Sequence, residues 1–279
     1  MSQKSYLISE ETYESTSGPI QYNLTNDYMF KATLQESSEA LTGIVSALLR
    51  VDPSSLDVAV VNPIILGRNI HSKDFFLDVR VIVNKSKHMN LEMQVSDEGN
   101  WLERSLSYTA RLYDSLCAGQ DYKSVTPVHH VGFVNFDPFD NGNKFYDTFA
   151  LTNSDKSLIY TNKFLVSVVN LKHIYDATDD DKSYKLDKWA RLLTATTWNE
   201  LKEIAKEDSY MEATAKTFFQ LAQDFDNQEE ARRREEYYAK IKHKDATIKE
   251  LQDKLNTTIS EKDSIIKKLQ EEIVQLKKQ

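Results

Sequence analysis

The stretch Phe75–Gln94, FFLDVRVIVNKSKHMNLEMQ, holds two apolar, strand-like runs around a short polar tip, and each run carries an acid. Side chains alternate faces along a strand, so Phe75, Leu77, Val79, Val81 and Val83 share one face, and Phe76, Asp78, Arg80 and Ile82 the other. On the second run Leu91, Met93 and Val95 form the apolar set, which leaves Glu92 and Gln94 together on the opposite face. A tip at Asn84 to Ser86 makes an antiparallel hairpin in which Asp78 falls opposite Glu92, close enough for the two carboxylates to share a ligand. A slip of one residue would separate them.

Facing carboxylates repel unless a cation or a proton lies between them. Acidic oxygens with no Cys or His nearby suit a hard ion such as Mg²⁺, which commonly takes one or two carboxylates plus water and phosphate. Such an ion can ready a water for attack and offset charge on a leaving oxygen. The same alternation also fits a solvated sheet face on which Asp78 pairs with Arg80 or Arg104. Spacing alone leaves both readings open.

Around the hairpin, NDYMFKATLQ and SSEALTGIVSALLRV read as helices, the second with Leu41, Ile44, Val45, Leu48 and Leu49 at helical spacing. LDVAVVNPIIL is a short extended segment broken by Pro63. A helix is predicted from about Trp101 to Ala118, followed by a buried strand in HHVGFVNF and two further strands in KFYDTFAL and KFLVSVVNL. Residues 187–225 are helical again, and no internal repeat is evident. The order helix, hairpin, helix, strand predicts an α/β architecture with a mixed sheet.

The 279 residues carry a net charge of -8, which excludes coating nucleic acid by bulk charge but leaves local basic patches. There is no uncharged apolar run of transmembrane length, and the N-terminal MSQKSYLISEETYEST lacks a secretory pattern. A cytoplasmic protein with no membrane partner is the expectation. The single cysteine, Cys117, cannot form an intramolecular disulfide, and no Cys/His cluster has zinc spacing.

Composition shifts near residue 228. From there to the end there is no Gly or Pro, and 13 Lys/Arg stand against 11 Asp/Glu, so this tail is at +2 and the first 227 residues at -10. Ile241, Lys244, Ile248, Leu251 and Leu255, then Ile259, Lys262, Ile266, Leu269, Ile273 and Leu276, follow heptad spacing, with a stutter at Leu255–Ile259. The pattern predicts a coiled coil that joins copies of the chain into a homo-oligomer, weakened by its two seam lysines.

Asp78, thirteen intervening residues, Glu92-Met93-Gln94 and then WLERSLSYTARLYDSLCAGQDYKSVTPVHHVGFVNFDPF together resemble the PD-(D/E)XK nuclease family transposases, relatives of the recombination-promoting nucleases. The resemblance runs from NDYMFKATLQ to EEARRREEYYAK. It implies a restriction-endonuclease-like mixed sheet flanked by helices over residues 21–227, with residues 1–20 as an N-terminal extension and 228–279 as the long coiled-coil helix. It implies a metal-dependent DNA endonuclease using Mg²⁺ or Mn²⁺, with Asp78 and Glu92 as the metal-binding acids. Gln94 stands where the superfamily usually has lysine and cannot carry a positive charge; related transposase-like sequences often carry glutamine here. Leu77 replaces the proline of the motif. The rival expectation is a catalytically inactive nuclease fold that works through its coiled coil.

Beyond the hairpin, Arg104, Tyr108 and Arg111 share one helix face, with Leu102, Leu106, Leu112 and Leu116 supplying apolar contacts elsewhere. Arg104 could reach a scissile phosphate or clamp Glu92, and Tyr108 is an auxiliary candidate. Asp27 is either the additional acid that this superfamily often takes from its first helix or a helix cap; Glu39 is a second candidate. Lys31 could meet DNA or solvent. His129 and His130 are expected in a hydrogen-bonded edge role, and Asp179, Asp180 and Asp181 in a solvated acidic loop. Trp189 and Trp198 are spaced for helix packing. Arg232, Arg233 and Arg234 fit a helix with flanking glutamates.

Overall fold

The computed structural model describes residues 12–61, 79–113 and 120–276. Asp78, Pro63, Leu116 and Cys117 therefore lie outside the described residues. The elements run α1 (Asp27–Glu36), α2 (Ser38–Leu49), β1 (Val58–Val60), β2 (Val79–Val83), β3 (Lys87–Gln94), α3 (Trp101–Tyr113), β4 (Val128–Val134), β5 (Tyr146–Thr152) and β6 (Ile159–Asn170). Helices α4 (Asp179–Ser183), α5 (Leu186–Thr194), α6 (Trp198–Ala205), α7 (Ser209–Gln223) and α8 (Phe225–Leu276) follow. The expected helical run 187–225 is thus three helices, each begun by its own cap or break.

The strands form one mixed sheet in the order β1-β2-β3-β4-β6-β5. β1, β2 and β3 are antiparallel neighbours, β3, β4 and β6 run parallel, and β5 closes the sheet antiparallel to β6. This is the α/β mixed sheet with flanking helices that the hairpin implied. The hairpin turns at Asn84–Ser86: Asn84 and Lys85 have φ of 49° and 54°, and Ser86 N–H donates to Val83 O at 3.1 Å. Positive φ at both central residues gives the twist that strands need from a tight turn, and asparagine tolerates it well.

Register follows from burial. Val79 lies opposite Leu91 and Val81 opposite Met89, all buried, so the odd-numbered side chains of β2 and β3 enter the main core. There they meet Val131 and Phe133 of β4 and the apolar faces of α1 and α2, with Phe30 and Phe133 rings 5.4 Å apart. The other sheet face packs against α3. Trp101 joins Val134, Phe136 and Val168 in a second, smaller cluster there. The indole can lie this close because its neighbour on β4 is Gly132: a Cβ at that position would come within 1.8 Å of the Trp101 ring.

Several local expectations are corrected. The cap of α1 is Asn26, not Asp27, because Asn26 is extended and its side chain accepts from the Tyr28 and Met29 amides. Lys31 meets neither DNA nor solvent, being 2 % exposed. Leu102 and Leu106 are exposed, since the buried stripe of α3 is Trp101, Ser105 and Thr109. The acidic run is the first turn of α4, not a loop: Asp179 and Asp180 are exposed as expected, but Asp181 is buried, forms a reciprocal capping box with Thr178 and is bound by Arg50. β4 is interior, so His129 and His130 hold no edge position.

The described chain divides after Arg232. The first part of α8 belongs with α1, where Tyr28 Oη donates to Asn227 Oδ1 at 2.7 Å and Asn26 Nδ2 to Ala231 O at 3.1 Å. Beyond it, Ile248, Leu251, Leu255, Ile259, Ile266, Leu269 and Ile273 are all exposed along the helix. Gly132→Ala is expected to lower the unfolding free energy by about 1–3 kcal/mol through overpacking, read by urea denaturation. In a Trp101→Leu background the cost should shrink; equal costs in both backgrounds would show that the indole is not what residue 132 accommodates.

Candidate active site

The even-numbered face of β3 carries Asn90, Glu92 and Gln94, all at most 1 % exposed. Parallel pairing sets Asn90 beside His130, Glu92 beside Gly132 and Gln94 beside Val134, while Arg80 of β2 lies beside Asn90. Helix α3 covers this face. Glu92 and Gln94 are therefore not on a solvated sheet face, while Asp78, the acid of that reading, lies outside the described residues.

Burying a carboxylate is costly unless a cation and hydrogen bonds replace its water. Arg104 supplies the cation, its Nη2 donating to Glu92 Oε1, and Nη1 lies 3.6 Å from Glu98 Oε2. The Arg104 guanidinium also stacks 5.6 Å from the Tyr108 ring centroid, and Tyr108 meets His130 edge-on at 6.3 Å. Arg104 and Tyr108 thus share the helix face read from their spacing, while Arg111 is exposed.

His130 completes the surroundings of Glu92. The Asn90 amide nitrogen, a donor only, lies 2.9 Å from His130 Nδ1, so Nδ1 accepts and the ring proton sits on Nε2. Nε2 faces Glu92 Oε2 at 3.4 Å. Burial, and secondarily the Arg104 charge, push the His130 pKa down to about 3, so the ring is neutral. Its contact with Glu92 is that of a dipole with a charge, not of an ion pair.

Gln94 donates from Nε2 to Ser96 O at 3.2 Å, and its buried Oε1 has no hydrogen-bond partner among the described residues. Asp78 lies outside them, and the β2–β3 register begins with Val79 opposite Leu91. Asp27 is buried in the first turn of α1, and Glu39 is exposed. Among the described residues no group of three or more His, Cys, Asp or Glu side chains is placed to hold a metal. The oxygen chemistry of Glu92 and Gln94 nevertheless fits a hard divalent ion, since one acidic oxygen pair and one unengaged amide oxygen lie on the same strand face. Three contributors escaped sequence reasoning: Asn90, Trp101 and His130. The last two are brought to Glu92 by the β3–β4 pairing and the packing of α3, which no spacing along the chain displays.

A mixed α/β sheet with an acid-bearing hairpin and a covering helix defines a nuclease-like class of fold. The family described as PD-(D/E)XK nuclease family transposase matches residues 24–252, and the chain belongs to it. No curated protein and no solved structure matches the chain. Membership suggests a nuclease role with DNA as partner, and PD-(D/E)XK nucleases generally use divalent metals. No helix among the described residues is long and apolar enough to cross a membrane.

On the opposite sheet face His129, whose Nε2 lies 2.7 Å from Ser167 Oγ, is likewise pushed down to about 3, by burial first and the Lys87 charge second. Unfolded histidine has a pKa near 6.5, so the unfolded chain takes up protons that the folded chain refuses as pH falls. The stability is complete above about pH 6.5 and is lost on acidification toward about pH 3, by about 1.4 kcal/mol per pH unit for each such histidine. His129→Gln should make the acid limb of stability against pH shallower by that amount in urea titrations between about pH 7 and pH 4; an unchanged slope would count against a buried neutral His129.

Proposed function

We propose that the protein is a cytoplasmic, Mg²⁺-dependent DNA endonuclease in which Asp78 and Glu92 hold the metal, with Mn²⁺ as a substitute. The observation that carries this reading is Glu92: a carboxylate 1 % exposed, on the strand face the family motif designates, held by a guanidinium from the next helix. Structural carboxylates are rarely buried to this degree, and buried, polarised acids cluster at functional sites. A bound divalent ion would supply a nucleophilic water and neutralise charge on the leaving oxygen.

The chain's own residues divide the remaining work. Arg104 holds Glu92 in place, and its forked donors suit a phosphate oxygen as well as a carboxylate. His130 and Asn90 set the second oxygen of Glu92, and Tyr108 limits the swing of Arg104. Gln94, two residues beyond Glu92, orients the attacking water. Trp101 excludes bulk water from the flank of the acid, which strengthens each of these contacts.

The specific observation favouring the non-catalytic alternative is the same ion pair, because Arg104 engages an oxygen that a metal would need. Cleavage separates the readings. Supercoiled plasmid incubated with the full chain and Mg²⁺ or Mn²⁺ is expected to be nicked, and Asp78→Ala and Glu92→Ala to abolish nicking; identical behaviour of wild type and variants removes the nuclease reading.

The domain plan follows the same proposal: residues 1–20 as an extension, 21–227 as the nuclease domain and 228–279 as a coiled coil that makes a homo-oligomer. The exposed seam from Ile248 to Ile273 supports self-association, since a stripe of aliphatic side chains at heptad spacing is stabilised by burial against another helix. Pairing two active sites suits cuts on two strands. Deleting residues 238–279 should reduce the particle to a monomer in light scattering; a particle that loses only the mass of the deleted residues counts against the seam.

A further inference from the structure

Lys144, Lys172, Lys185, Lys188 and Lys216 each meet a carboxylate, as a net charge of -8 makes easy. Three lysines gathered at one end of the sheet, Lys87, Lys123 and Lys163, meet none among the described residues. Register brings them together. His88, Val128 and Phe164 lie in one row across β3, β4 and β6. Lys87 and Lys163, one residue earlier on their strands, therefore stand about 10 Å apart with β4 between them. Lys163 Nζ donates to the carbonyls of Lys123 and Val125 at 3.1 and 3.0 Å, which ties the 3-10 turn Tyr122–Ser124 to this end of β6. Lys123 is exposed on that turn, and Tyr122 beside it is 87 % exposed. Asp121, the acid nearest in sequence, caps the turn, accepting from Lys123 N–H at 2.9 Å.

Lys87 shows that the cluster lacks a partner. It is half-buried, burial pushes its pKa down, and its charge reaches as far as His129. An ammonium that has lost water without gaining a carboxylate is held at a cost until an anion joins it. The metal-site acid is not that anion. Glu92 lies five residues further along β3, about 17 Å away, and on the opposite face of the sheet.

Tyr122 narrows the class of anion. A flat, exposed ring next to a lysine suits a base that stacks while its phosphate meets the ammonium, and every nucleotide offers both groups. An acidic peptide offers carboxylates but no base to stack. We infer that this end of the sheet binds single-stranded DNA, with Lys87, Lys123 and Lys163 holding its phosphates and Tyr122 stacking on an unpaired base. This rests on the reading of DNA as partner and names the form in which the DNA is held, at a surface apart from the cleavage site.

The test is fluorescence anisotropy of a labelled oligothymidine with the full chain in EDTA at several salt concentrations. Lys87→Gln with Lys123→Gln is expected to lower the slope of log affinity against log salt by about 1.4, or about 0.7 for each phosphate contact on a single strand. Lys188→Gln with Lys216→Gln removes the same charge from ion pairs on α5 and α7 and should leave the slope unchanged. Tyr122→Ala should weaken single-strand binding at least about fivefold, Tyr122→Phe should not, and duplex binding should ignore both. Lys163 stays in place because its bonds hold the turn, and circular dichroism checks that each variant is folded. Equal losses in the two lysine pairs, or single-strand binding indifferent to Tyr122→Ala, overturn the assignment. Polyglutamate bound as tightly as the oligonucleotide overturns it in favour of an acidic protein. Patch variants that bind as wild type does, while wild type nicks plasmid, remove the patch and leave the nuclease; wild type that binds through the patch but never nicks removes the nuclease alone. Wild type that binds no DNA overturns both.

Discussion

The Arg104–Glu92 contact is the constraint on which the second face of the sheet depends. A carboxylate on a buried strand is tolerable only if a cation is delivered to it, and Arg104 delivers one from α3, which packs on β4 and β6 beside β3. That approach is possible because residue 132 lacks a side chain and the Trp101 indole fills the space. Remove the glycine, and the helix must rise; raise the helix, and Glu92 is left charged in a dry interior. A pair of this kind contributes little net stability, because its attraction is set against the desolvation of both partners. Its contribution is to position: it specifies where α3 must sit.

The same logic explains why β3 is unusual. A strand covered on both sides ordinarily reads as a continuous apolar run. Here only Met89, Leu91 and Met93 obey that rule, and Asn90, Glu92 and Gln94 are equally buried under α3. The helix matches them: its buried stripe is Trp101, Ser105 and Thr109, with Arg104 and Tyr108 beside it, while Leu102 and Leu106 face outward. Arg104 answers Glu92 across the two layers, while Ser105 and Thr109 donate to carbonyls of their own helix and Asn90 bonds His130 within the sheet. Such a face departs from the pattern that foldability alone favours, and departures of this sort concentrate where a protein acts.

These two faces differ in how well the sequence shows them. The hairpin, its tip, its register and the alternation of Val79, Val81, Leu91 and Met93 follow from a period of two and a turn-forming Asn84, because they are local. The heptad spacing of α8 is equally legible. What the chain could not display is which element covers which face. The leucines of α3 seemed its core-facing side because helices ordinarily bury apolar residues, but the sheet face it meets is mixed, with Asn90, Glu92, Gln94 and His130 beside Val134 and Val168, and Ser105 and Thr109 face it instead. His130 was invisible as a neighbour of Glu92 for a related reason: thirty-eight positions separate them, and only parallel pairing of β3 with β4 brings them together. Asn26 and Asp27 differ by one position, which composition cannot resolve and the extended backbone of Asn26 does.

The cation that balances Glu92 comes from a helix, not from the strand that bears the acid. In the superfamily pattern, lysine two residues after the acid keeps the charges on one rigid strand. With glutamine at 94 and Arg104 on α3, the balancing charge belongs to a different element from the acid. Movement of a single side chain, Arg104, from the carboxylate to a phosphate oxygen of bound DNA would free the acid where substrate is present, because the guanidinium fork serves either partner. The ion pair therefore fixes Arg104 on Glu92 in the isolated chain, and the reach of its guanidinium fork to either a carboxylate or a phosphate is what links it to the proposed activity.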